Sequence, residues 1–90
     1  MKIKDFLVKL KEIKGKNIVL EVQNEIIKKV TIQKMNYEIK EDELYIIGYD
    51  NSDIAVININ TIRSINEDIG NIIIYLEDKK ETKINIEIKI

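Results

Sequence analysis

Ninety residues with 44% hydrophobic and 34% charged side chains make one globular domain, 1–90, and exclude a disordered chain. There is no cysteine and no histidine, which removes disulfides, thiolate zinc sites and every nucleophile system that needs an imidazole base. The net charge of −1 conceals a split: residues 1–40 carry ten Lys against five acids, and residues 41–90 carry five basic residues against eleven acids.

In chain order, residues 3–14 come first and read as an amphipathic helix. Ile3, Phe6, Leu7, Leu10 and Ile13 share one face, lysines flank it on both sides, and Gly15 is the natural stop. Beyond Gly15 the period changes to two. Ile18, Leu20 and Val22 alternate with Val19, Glu21 and Gln23 in a strand, and Asn24-Glu25 forms a tight turn. A second strand is expected over 26–34 with Val30 and Ile32 inward, and Tyr37 and Ile39 extend it or begin another.

After the acidic turn Glu41-Asp42-Glu43 comes a strand from Leu44 to Tyr49. Asp50-Asn51-Ser52-Asp53 is the clearest hairpin turn, because such side chains bond their own backbone. Ile54 to Ile59 is apolar on both faces and is expected to be a central strand. Residues 60–65 read as one 3-10 turn or a continuing strand. A loop over 67–71 with Gly70, a strand from Ile72 to Leu76 and a polar turn over 77–81 follow. In residues 82–90, Ile84, Ile86, Ile88 and Ile90 face inward while Lys83, Asn85, Glu87 and Lys89 face outward.

The fold class is therefore α+β, mostly β. An N-terminal helix, about 3–14, precedes an antiparallel meander of about five to seven short strands over 17–90. Such a meander either closes into a small barrel or rolls into a sheet packed on the helix. No segment reaches the ~18 apolar residues of a membrane span, and the charged start Met1–Asp5 leads into no signal-peptide core. A cytoplasmic protein with no membrane partner is the expectation. The joint excess of Ile, Lys and Asn matches the codon bias of an AT-rich bacterial or phage genome.

The stretch from Leu10 to Val22, LKEIKGKNIVLEV, is similar to the opening of Sm-like domains. The order helix, glycine, bent strands resembles the Sm-like and other SH3-like small barrels, and that resemblance implies a small barrel with nucleic acid as an alternative partner. It covers the opening and the layout only. No Asp followed by Met-Asn comes after the second strand, no Arg-Gly pair precedes the last, and a further hairpin occupies 72–90. No RNA-holding residue is therefore carried over.

Chemistry-bearing patterns are few. Ser52 and Ser64 lie in no nucleophile elbow, and Gly15, Gly48 and Gly70 are too dispersed to cradle a phosphate. No catalytic residue, metal ligand or cofactor is assigned, and an enzyme is the least favoured class. A candidate acidic partner surface comprises Glu41, Asp42, Glu43, Asp50, Asp53, Glu67, Asp68, Glu77 and Asp78, all at expected turns. A candidate basic surface comprises Lys9, Lys16, Lys28, Lys29, Lys34 and the only arginine, Arg63, with Tyr37, Tyr45 or Tyr49 available for base stacking. The last strand, with Ile84, Ile86 and Ile88, is a candidate exposed edge for pairing with another chain or a second copy.

These readings rank a small non-enzymatic binding protein first, acting through protein–protein contact in the manner of a phage or mobile-element inhibitor of a host defence system. A nucleic-acid-binding small barrel comes second, and a homo-oligomer joined through strand edges third.

Overall fold

Apolar residues spaced three and four apart need a helix to share a face. In the computed structural model of the chain, which describes residues 1–50 and 53–89, helix α1 occupies Ile3–Ile13. The Lys2 carbonyl accepts the Phe6 N–H at 3.0 Å, and Lys14 N–H closes the last turn on Leu10 O at 3.0 Å. Gly15 then takes φ +87°, the left-handed conformation that a β-carbon disfavours, and the chain turns away. Phe6, Leu10 and Ile13 are buried as expected, but Ile3 is 37% exposed because the first turn projects past the core.

Eight strands follow: β1 (Ile18–Gln23), β2 (Ile27–Ile32), β3 (Asn36–Lys40), β4 (Glu43–Ile47), β5 (Asp53–Asn58), β6 (Ile62–Asp68), β7 (Asn71–Leu76) and β8 (Lys83–Ile88). The count exceeds five to seven because two extended runs are broken. Lys34, at φ +49°, separates β2 from β3, and a 3-10 turn at Ile59–Thr61 separates β5 from β6. Asn58 starts that turn by accepting the Asn60 N–H at 2.9 Å. Of the expected hairpin turn at 50–53, Asn51 and Ser52 lie outside the described residues; β4 and β5 pair antiparallel across it.

All ladders are antiparallel and form two sheets, β2-β1-β8-β7-β6 and β3-β4-β5. This order corrects three expectations. The last strand is no edge: β8 lies between β1 and β7, so both of its sides are paired, and Ile84 and Ile86 are buried, with Ile88 half-buried. Its row of isoleucines is what suits it to the middle of a sheet. Conversely β5, expected to be central, pairs with β4 alone and leaves Val56 50% exposed. The edges of the five-stranded sheet are β2 and β6, and on β2 Val30, expected to point into the core, is 41% exposed.

Register explains the core. Leu20 faces Ile86, which faces Ile72; Val22 faces Ile84, which faces Ile74, which faces Ile65. These cross-strand rows share one face with Ile18, and that face meets Leu44, Ile46 and Ile57 of the second sheet and Phe6, Leu10 and Ile13 of the helix in one cluster. The helix crosses the sheet near the Ile18 and Ile88 ends of its strands. Lys9 bonds Glu67 of β6 at 3.3 Å, while at the other end Gly15 N–H donates to Met35 O at 2.7 Å. The opposite strand ends, at Val22, Ile84 and Leu76, are left to the two sheets alone. Among the described residues no helix is long and apolar enough to cross a membrane.

Candidate functional site at the open end of the sheets

The core face of the five-stranded sheet is wider than its cover. Where the helix does not reach, Val22, Leu76 and Ile84 face Ala55 of β5 across a groove of about 490 Å³, and Val56, whose side chain is on the outer face with Tyr45, borders it. Two turns form its rim. The β1–β2 turn contributes Asn24, Glu25 and Ile26, and the β7–β8 turn contributes Asp78, Lys80 and Thr82. The first is held by Ile26 N–H on Asn24 Oδ1 at 3.2 Å. In the second, the Thr82 hydroxyl donates to Asp78 Oδ2 at 2.6 Å, and the Thr82 and Lys80 amides donate to Oδ1 at 2.9 and 3.1 Å. Those bonds, led by the Thr82 hydroxyl, hold the Asp78 carboxyl below its ordinary value.

The rim is apolar as well as charged. Ile26 is 60% exposed and Val56 50%, and Lys80 Nζ spans to Glu25 at 4.0 Å. Val30 continues the apolar surface along β2, since it stands opposite Leu20 on the same face as Val22.

The outer face of the same sheet carries a second constellation at this end. Gln23 faces Lys83, which faces Tyr75, which faces Ser64. The β6–β7 register slips between Ile62 and Ser64, so Arg63 is an extra residue in a bulge. The bulge sets the Arg63 guanidinium 5.9 Å from the Tyr75 ring centroid, and Lys83 Nζ approaches the same ring at 5.9 Å. Among the described residues neither cation has an ion-pair partner.

The acidic candidates do not form one surface. Glu67 and Asp68 end β6, and Glu77 and Asp78 follow β7, so these pairs sit at opposite ends of β7, ~17 Å apart at ~3.4 Å per residue. Glu41, Asp42 and Glu43 turn the β3–β4 hairpin of the other sheet, where the Asp42 carbonyl accepts the Ile59 N–H at 2.7 Å. Asp50 follows β4 and Asp53 begins β5, the side chain of Asp53 lying outside the described residues. Among the described residues, no three acidic side chains gather as a metal site would require.

The basic candidates also divide. Lys9 is engaged by Glu67, Lys28 lines the groove, and Lys29 faces Glu21 on the outer sheet face. Lys16 and Lys34 come together with Lys89 over a shallow depression, and Lys34 Nζ lies 5.3 Å from the Tyr49 ring. Arg63 alone joins an aromatic row in the five-stranded sheet. Of the tyrosines considered for stacking, Tyr37 packs on the core, and Tyr45 donates to Glu43 Oε2 at 3.4 Å under Lys40. Tyr75 is the tyrosine the sequence reading misses, although a turn over 77–81 pairs residue 75 with the outward-facing Lys83.

Comparison with protein-family models, with curated proteins and with solved structures finds no match for this chain. The geometry of this end of the sheets is therefore the basis for a functional reading.

Proposed function

We propose that this is a small non-enzymatic binding protein that holds an extended segment of a partner protein along β2, over the groove. One observation carries the reading. Five of the six residues of β2 are exposed, and its groove-side residues Lys28 and Val30 stand beside a groove floored by core side chains. An unpaired strand edge offers main-chain donors and acceptors, and an apolar strip beside it supplies pockets for alternate side chains. Val22, Leu76 and Ile84 give the floor, while Lys28, Glu25 and Lys80 give a mixed-charge rim. In its finer form the protein is a stoichiometric inhibitor of a host defence system, encoded by a phage or mobile element; the support for that is compositional.

The test is affinity capture with the wild-type chain and with Val30→Lys and Lys28→Glu variants from cells of the source organism. A single partner held in fixed stoichiometry by wild type and lost from both variants is the expected outcome. A partner held equally by all three proteins places the interaction elsewhere. Light scattering on the purified chain distinguishes pairing of two copies through β2, which doubles the monomer mass.

A further inference from the structure

We infer that the outer face of the five-stranded sheet is a second binding site, for single-stranded nucleic acid, centred on Tyr75. This goes beyond the protein-binding groove, which opens on the other face of the same strands and shares the turn residues Asn24 and Lys80 with this site. A concavity of about 370 Å³ is lined by Gln23, Asn24, Arg63, Tyr75, Lys80 and Lys83, with Glu81 as its one carboxylate among the described residues. The ring and the guanidinium leaning on it offer flat surfaces on which a base stacks whatever its identity. Arg63 and Lys83 have no carboxylate partner among the described residues, so their charge is available to phosphates on either side of a stacked base. Gln23, whose amide donates to Glu21, and Asn24, whose Oδ1 accepts the Ile26 N–H, border the ring and leave their remaining amide positions toward it.

Charge is sorted along the strands of this face. The row through Lys83 and Tyr75 reaches Arg63 at its end, whereas the row at the helix end runs Thr31, Val19, Glu87, Asn71, Asp68, where Lys89 pairs with Glu87 at 3.0 Å. A polyanion is thus favoured on the Lys83–Tyr75 row, whose two cations are unpaired among the described residues. An acidic peptide would use the cations but not the ring. A duplex would keep its bases stacked on each other and away from Tyr75.

The probe is a fluorescein-labelled oligothymidylate of about ten nucleotides, followed by anisotropy on the intact chain. Saturable binding is expected at about 50 mM salt, weakening steeply as salt rises. Tyr75→Leu lowers affinity about tenfold and Tyr75→Phe retains it. Arg63→Gln and Lys83→Gln each weaken binding and reduce the salt slope by about one. A Lys16→Gln/Lys34→Gln double variant, altered at the remote basic corner, binds as wild type does, and so does Val30→Lys in the groove. Thermal unfolding of each variant verifies the fold. Absence of saturable binding, equal loss in the Lys16/Lys34 variant, or an unaffected Tyr75→Leu overturns the assignment. Displacement of the oligonucleotide by polyglutamate at equal charge concentration also overturns it, in favour of an acidic peptide.

Discussion

Arg63 leans over Tyr75 at 5.9 Å because the β6 bulge sets Arg63 and Ser64 together opposite that one tyrosine. Without the extra residue, strand alternation would carry Arg63 to the other face from its neighbour Ser64. The contact is exposed on the Arg63 side, so its strength is that of a partly hydrated cation–π pair. A double-mutant cycle of Arg63→Ala and Tyr75→Leu in urea denaturation is expected to return a coupling of about 0.5 kcal/mol.

Leu10 is fully buried where the helix meets both sheets, while Val8 on the opposite side of the helix is 55% exposed. Leu10→Ala is expected to lower stability by about 3 kcal/mol, through lost transfer energy and a residual cavity. Val8→Ala changes it by less than about 0.5 kcal/mol. Chemical denaturation of the two variants measures the contrast.

Glu41 turns the β3–β4 hairpin at φ +54°, a conformation in which its β-carbon crowds the following carbonyl. Asparagine adopts this region more readily than glutamate. Glu41→Asn is expected to raise stability by about 0.5 kcal/mol, read as a higher denaturation midpoint with an unchanged slope.

Asp78 has a folded-state pKa below its ordinary value of 3.8, caused first by the Thr82 hydroxyl and then by the Thr82 and Lys80 amides. The unfolded chain therefore binds this proton more tightly than the folded one. The stabilisation is complete above the unfolded value, near pH 4, and fades as pH falls through the lower folded value. Asp78→Asn removes this dependence. The variant is less stable than wild type at pH 7, and its stability curve is flatter below about pH 4 in thermal unfolding across that range.

The two strands exchanged between centre and edge make opposite predictions. Ile86→Lys places a charge in the fully buried middle of β8 and is expected to abolish folding. Val30→Lys on the exposed edge shifts stability by only about 0.5 kcal/mol. Circular dichroism of the two variants distinguishes them.

Local pattern was legible throughout. The helix stop at Gly15 follows from the chemistry of one residue, and the strand periods of Ile18–Gln23 and Lys83–Ile88 follow from alternation. The breaks at Lys34 and Ile59–Thr61 were harder to read. The first requires a lysine at positive φ, held where Met35 N–H donates to Lys16 O at 2.9 Å, a contact with the far end of the helix. Propensity describes each residue with its chain neighbours and contains no term for such a partner.

Composition and alternation were enough to determine the class of fold, the helix stop at Gly15 and the absence of imidazole and thiol side chains. These depend on residue type and on spacing of a few positions. Which strands became edges was decided only by the tertiary structure. β8 and β2 are each six residues long and both carry isoleucine and lysine, yet β8 lies between β1 and β7 while β2 keeps one side open. The same holds for the joining of Arg63, Tyr75 and Lys83 into one row, which depends on a bulge and on pairings across two hairpins. Strand order and cross-strand neighbours follow from how the whole chain closes its core, a balance of long-range burial that no local stretch contains.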